Sequence, residues 1–242
     1  MSAYLLLLVA CAGFQFGASE RDVRPAGEAV RWAGYVFRSG EGTETEDLLV
    51  DGALTFAVGD AVDPIEAELP YPDDYPGYWS VELPPGAPLT VRIEGAGLVP
   101  SVWAGDAPGN NGSWTAGSLF GAEETWLTGL FEGLGETTGA EIVPLEAGSA
   151  WAWGFWRDGA RGDCAGVRVA GASVACVGMD DAGALVAVSE GAFTAWFATG
   201  LSSGDVPVEV VEDGVTVLTE TLPLRGGDVG VAGWMVPVGG VE

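Results

Sequence analysis

The sequence predicts an all-β chain: two tandem β-sandwich domains joined by a short connecting helix. Short apolar runs recur along most of the 242 residues, divided by turn residues. Gly (39) and Pro (14) are abundant, as many short strands joined by turns require. Only one segment has helical spacing. A hydrophobic fraction of 48% against 18% charged residues supplies a sizeable core. The chain divides into a signal segment (1–10), a tether (11–31), a first sandwich (32–120), a connector with the helix (121–142) and a second sandwich (143–242).

Tyr4 to Ala10 opens the chain as an unbroken apolar run. A membrane span needs about 20 such residues, so the run instead has the length of a signal-peptide core. No basic residue precedes it. Taken as a strand, it would form an edge of the first domain. The four residues Leu8-Val9-Ala10-Cys11 resemble the lipobox of bacterial lipoproteins. That resemblance implies cleavage between Ala10 and Cys11, a diacylglycerol thioether on Cys11 and acylation of the new amino terminus. Several acyl chains on one residue meet the requirement for stable anchoring, at about 0.8 kcal/mol per buried CH₂. Ala12 stands where Asp would mark inner-membrane retention, so the resemblance points to the outer membrane. Residues 14–31 mix Gly, Pro and both charge signs without a period, and read as a polar tether.

Strand signals begin with "GYVF" (Gly34–Phe37), and "DLLVDGALTFAV" carries a hairpin signal at Asp51-Gly52. Next, Trp79, Val81 and Leu83 alternate with Ser80 and Glu82. After the turn Pro84-Pro85-Gly86, Leu89, Val91 and Ile93 alternate with Thr90, Arg92 and Glu94. Period two with one wet face marks an antiparallel sheet. A Gly/Asn-rich connection follows, and then Leu127, Leu130, Phe131 and Leu134 take i, i+3, i+4, i+7 spacing. Glu123 and Glu124 lead that run and Gly135 follows it, so a helix is expected over about 123–134.

The second strand set starts near Val143. Trp151, Trp153 and Phe155 fall on one face of a strand, and Ala152, Gly154 and Trp156 on the other. Two strands flank Ala170-Gly171, two more lie in "GALVAVSEGAFTAWFATG", a hairpin turns at Asp213-Gly214, and "VGVAGWMVPV" closes the set. In each half a Gly-containing aromatic strand precedes a V-x-G-A segment (Val50–Ala53; Val169–Ala172), a weak internal repeat that supports two similar domains.

At "YWSVELPPGAPLTVRIEGAGLVP" the chain resembles the carboxypeptidase regulatory-like, or transthyretin-like, domains. The match lies in Leu83–Pro100, where "LPPG" leads into a strand of the type "ltVrieapGyvp". Asp73-Asp74 matches the family's acidic turn loosely, and "DCAGVRVAGASVACV" resembles its opening hairpin without the Pro-Pro-Gly. The resemblance covers about two-thirds of the chain after Cys11. It implies seven-stranded Greek-key, prealbumin-like sandwiches serving as stalk or accessory modules, with no catalytic residues. Tandem modules behind a lipobox also resemble surface lipoproteins of myxobacteria-like organisms.

Charge and composition exclude several functions. There are 35 acidic against 9 basic residues, all nine Arg, for a formal charge of −26. Such a field repels nucleic acid and anionic lipid surfaces and suits a soluble surface in salty surroundings. The absence of His removes His-dependent triads. Neither a P-loop nor a dinucleotide fingerprint occurs, and no carboxylate pair stands out, so no enzyme is expected. With Cys11 lipidated, Cys164 and Cys176 remain as an even pair and read as a disulfide across one hairpin; the bland alternative is two buried thiols. They make a poor zinc set.

The acidic turns Asp60–Asp63, Asp73-Asp74 and Asp180-Asp181 lack the spaced D-x-D-x-D-G loop; they read as solvated turns, with Ca²⁺ the one cofactor worth testing. Of ten Trp, Trp79, Trp151 and Trp153 fit inward faces, whereas Trp103, Trp114 and Trp126 lie in connecting segments and are the candidates for an exposed glycan platform. Arg161-Gly162-Asp163 and the sequon at Asn111 are short enough to arise by chance. The resulting expectation is a lipid-anchored cell-envelope protein of structural, adhesive or assembly-accessory role. Its partners would be the membrane, through the anchor, and an envelope protein or polysaccharide. The alternative is a glycan- or Ca²⁺-binding surface lipoprotein.

Overall fold

The computed structural model describes residues 29–39, 52–59, 65–67, 78–106, 116–155 and 163–232. Cys11, the tether up to residue 28, the Asp51 side of the first hairpin signal, Asp60–Asp63, Asp73-Asp74, Trp114, Arg161-Gly162 and 233–242 lie outside them, whereas Val30 and Arg31, expected in the tether, open the first strand. Among the described residues the chain is all-β apart from one α-helix and a single 3-10 turn. It forms two compact units.

The first unit contains β1 (Val30–Ser39), β2 (Gly52–Val58), β3 (Ile65–Ala67), β4 (Tyr78–Leu83), β5 (Pro88–Gly95), β6 (Leu98–Val99) and β8 (Ala116–Glu123). One sheet has the order β4-β1-β8-β6, and β5-β2-β3 are neighbours in another. The alternation expected on β4 and β5 is present: Trp79, Val81, Leu83, Leu89, Val91 and Ile93 are all buried. On β2 the register sets Leu54 against Ile93, Phe56 against Val91 and Val58 against Leu89, so the apolar rows coincide on one face. Phe56 meets Trp79 of the other sheet with ring centroids 5.4 Å apart. β4 and β5 thus share a core from opposite sheets, and the Pro84-Pro85-Gly86 turn carries the chain between layers. Leu98 packs over Gly121, where a Cβ would lie 2.6 Å from Leu98 Cδ1 and would push that side-chain end aside. One departure from the antiparallel reading is that β8 runs parallel to β1, Ala33 opposite Ala116. A parallel partner must come from a long crossover, and this one leaves the sheet and returns.

The second unit is built on Glu124–Trp234 together with Ser101–Ala104. Its elements are β7 (Ser101–Asp106, through Ala104), α1 (Glu124–Thr138), β9 (Ala150–Phe155), a 3-10 turn (Cys164–Gly166), β10 (Val167–Val169), β11 (Val174–Met179), β12 (Leu185–Val188), β13 (Ala195–Leu201), β14 (Gly204–Glu212), β15 (Val215–Leu224) and β16 (Val229–Ala232). One sheet runs β12-β11-β13-β9-β16-β7 and a second runs β10-β14-β15. β16 lies between β9 and β7, parallel to both.

Both faces of the larger sheet are covered. On one, Phe131 of α1 stacks on Trp151 at 4.3 Å and meets Phe197 edge-on at 5.8 Å. On the other, Ala150, Ala152, Trp196 and Ala198 share a core with Val206, Val208, Val210, Leu222 and Leu224 of the smaller sheet. Trp151 and Trp153 thus oppose Ala152 across β9, as the alternation predicts. A strand buried on both faces needs small residues on one of them: a Cβ at Gly154 would strike the Trp196 indole and the Ala232 carbonyl.

The helix begins one residue later than expected and ends four later. Leu127, Leu130, Phe131 and Leu134 are buried as the spacing requires. Gly135 is no terminus. It is a packing position, where a Cβ would meet Ile142 and the Ala140 carbonyl. The helix continues until Gly139, whose φ of +73° lets its N–H reach the Gly135 carbonyl at 2.7 Å. Gly129 differs, since a Cβ there meets nothing within 4 Å. Gly129→Ala is therefore expected to stabilise the protein by about 0.5–1 kcal/mol, read as a raised urea midpoint.

Asp213-Gly214 turns the β14–β15 hairpin as expected, with positive φ at both residues (50° and 77°). Ala170-Gly171 differs from expectation. The turn exists, but β10 pairs with β14 while β11 pairs with β12 and β13. Each arm satisfies its backbone on a longer strand, so the two fall in different layers. Val143 opens no strand either: its N–H and C=O are taken by Thr199 Oγ1 and Trp151 Nε1, at 3.1 and 2.7 Å.

Candidate functional site

The candidate site of the second unit centres on its disulfide, with Asp163 and Arg168 beside it. Cys164 and Cys176 are bonded, with Cα atoms 6.0 Å apart. Cys164 sits in the 3-10 turn before β10 and Cys176 on β11, so the bond links the two sheets rather than two arms of a hairpin. Asp163 fixes the approach. Its Oδ1 accepts from the N–H groups of Ala165 (3.0 Å) and Gly191 (2.9 Å), and Cys164 N–H donates to the Gly191 carbonyl. An open groove of about 640 Å³ lies beside the bond, lined by Val167 and Val169 of β10, Val174 of β11, Val188 of β12, and by Thr138 and Arg168. Arg168 donates to Glu209 at 3.1 Å; the pair is largely exposed and adds at most about 1 kcal/mol.

No Asp or Glu is among the residues that line the groove, and the hydrogen-bonded aspartates elsewhere in the second unit serve the backbone. Asp180 Oδ1 accepts from Ala182 and Ala184, closing the turn between β11 and β12. Asp228, only 1% exposed, accepts from Arg225 N–H at 2.7 Å. Asp163, the one described member of the Arg-Gly-Asp triplet, caps the 3-10 turn. Among the described residues no group of three or more His, Cys, Asp or Glu could hold a metal ion.

Of the three tryptophans considered for a glycan platform, Trp103 takes the core-packing reading instead. Trp103 is fully buried at 0% exposure. It belongs to β7, where it faces Val231 of β16 in register, so strand pairing draws it into a sheet. Trp126 is half-buried in the first turn of α1, and Trp114 lies outside the described residues.

No family model matches the chain. No curated protein matches it. Among solved structures it is similar to the shaft pilin SpaA of Lactobacillus rhamnosus GG, at 10% identity over 88% of this chain and 100% of that one, with a TM-score of 0.25. A leucine-rich repeat protein of Bacteroides thetaiotaomicron is similar at 10% identity over 87% of this chain and 26% of its own, with a TM-score of 0.21. Neither superposition carries an argument about function.

Sequence reasoning missed the outer face of the smaller sheet. Arg168 lies opposite Glu209 in register, and Thr216 Oγ1 donates to the other Glu209 oxygen at 3.0 Å. Alternation along "VPVEVVE" places Glu209 away from the core valines, which is the one signal that could have found it.

Proposed function

We propose that this chain is a lipid-anchored protein of the bacterial cell envelope, facing the periplasm or the surface from the outer membrane, with a non-catalytic structural, adhesive or assembly-accessory role. The observation that carries the proposal is the Cys164–Cys176 disulfide between the two sheets of the second unit. Disulfides of this kind form in oxidising compartments, which supports an extracytoplasmic location. With that pair formed, Cys11 is the odd cysteine, and it stands in the lipobox Leu8-Val9-Ala10-Cys11. Asp163, Asp180 and Asp228 are engaged with backbone N–H groups and no carboxylate lines the groove, which favours a scaffold over a reaction centre. Kinship with carboxypeptidase regulatory-like domains, on Leu83–Pro100, belongs to the same proposal.

Palmitate labelling in a bacterial host tests the reading. The wild type should take up label and sediment with membranes. Cys11→Ser should lose both properties while keeping the Cys164–Cys176 bond. Label retained by Cys11→Ser would show that the anchor is elsewhere.

A further inference from the structure

The smaller sheet of the second unit ends on β15, and among the described residues no strand lies on its outer edge. The register shows what that edge offers. The Pro207 carbonyl accepts from Ala170 N–H on the β10 side, at 3.0 Å. Pro207 and Thr221 are therefore a non-hydrogen-bonded pair of the β14–β15 ladder. Strict alternation makes Glu209 and Thr219 another such pair. Thr219 and Thr221 thus turn both N–H and C=O outward. Asp205 and Pro223 continue the alternation, and Pro223 has no N–H to present.

Edges of this kind are normally blunted by Lys, Pro, bulges or shortness. Here a register shift opposite Val210-Val211 and Pro223 protect the two ends, and Leu218–Leu222 between them keeps its regular register. The strand is ten residues long and carries no basic residue. Val215 and Val217 are 64% and 45% exposed at its tip. The hairpin holds five acidic residues, Asp205, Glu209, Glu212, Asp213 and Glu220, and no Arg of its own; Glu209 is already paired with Arg168 of β10, so the other four carry its excess charge.

We propose that β15 is a docking edge for an extended polypeptide segment that alternates apolar and basic residues, bound by β-strand addition at Thr219 and Thr221. The outward N–H and C=O groups supply the ladder, the exposed valines supply apolar contact, and the acidic hairpin selects the charge of the guest. A second copy of this chain fits poorly, because each copy carries a formal −26 and pairing β15 with itself brings like charges together. The site is independent of lipidation at Cys11.

The test is a fluorescence-anisotropy titration of the full chain with a short capped peptide alternating Val and Arg. The same peptide with Glu for Arg is the control. Binding of the Arg peptide alone is expected, weakening at least about tenfold between about 0.05 and 0.5 M salt. Thr219→Pro with Thr221→Pro removes outward donors and no donor of the β14–β15 ladder, so it should abolish binding, and a urea midpoint near that of the wild type shows that the strand accepts the fixed φ. If that variant does not fold, peptides N-methylated at the residues facing Thr219 and Thr221 should fail to bind the wild type. Hydrogen exchange at Thr219 and Thr221 should slow on binding. Equal binding of the Glu peptide, binding that survives both the proline variant and N-methylation, or wild-type dimers that light scattering traces to this edge would overturn the proposal.

Discussion

Phe131→Ala should destabilise the second unit by about 3–5 kcal/mol, the usual range for truncating a buried aromatic ring. Phe131 is 0% exposed and touches two aromatic partners, Trp151 face to face and Phe197 edge-on. The surroundings cannot close over the gap easily. Trp151 is tied through its indole N–H to the Val143 carbonyl, and Phe197 lies in the middle of β13. The helix has little stability of its own to offset the loss. It contains Gly129, Gly133 and Gly135, each costing about 1 kcal/mol relative to Ala. A fifteen-residue helix of that composition exists because its apolar face is packed. Urea unfolding should show a lower midpoint with helical ellipticity lost in step, whereas Phe131→Leu should retain most of the stability. A midpoint unchanged in Phe131→Ala would refute this account of the helix.

Loss of the disulfide should have the next largest effect. The bond joins residues 12 apart, and a closed loop of that size restricts the unfolded chain by about 3 kcal/mol. Cys164→Ala with Cys176→Ala is the suitable pair, because Cys176 is 1% exposed and a hydroxyl there would be buried. For a unit of roughly this size the melting temperature should fall by about 10–20 °C. Wild type treated with a dithiol should melt with the double variant. A melt unaffected by reduction would mean that the noncovalent core alone holds the two sheets together.

Much of this architecture is readable in local pattern, and what is not has a common cause. Trp79–Leu83 and Leu89–Ile93 announce themselves because each strand has one wet face. Their alternation is the same, though, and says nothing about which sheet each joins. β4 and β5 are in different sheets, as are β10 and β11, because pairing is settled by distant partners. Trp103 shows the same limit. Flanked by Gly105 and a run of turn residues, it reads as connector, yet register with Val231 buries it. Gly135 looks like a helix stop, and only Ile142 folding back explains why it is glycine. For the site, the count of cysteines indicated the pair but not that the bond crosses layers. Asp163 and Asp180 were visible as acids, while their partners Gly191 and Ala184 are contacts of the folded turns.

The place of β16 governs when the second unit can fold. The strand between β9 and β7 is the last described element of the chain, and Val229 pairs with Ser101 across more than half its length. Topologies with such remote partners fold slowly, because the long loop must close before its contacts form. During synthesis β9 and β7 wait with unpaired edges until Val229–Ala232 emerges. The same topology makes a chain cut before Val229 a strong candidate for aggregation, since the two edges that β16 fills would then remain bare.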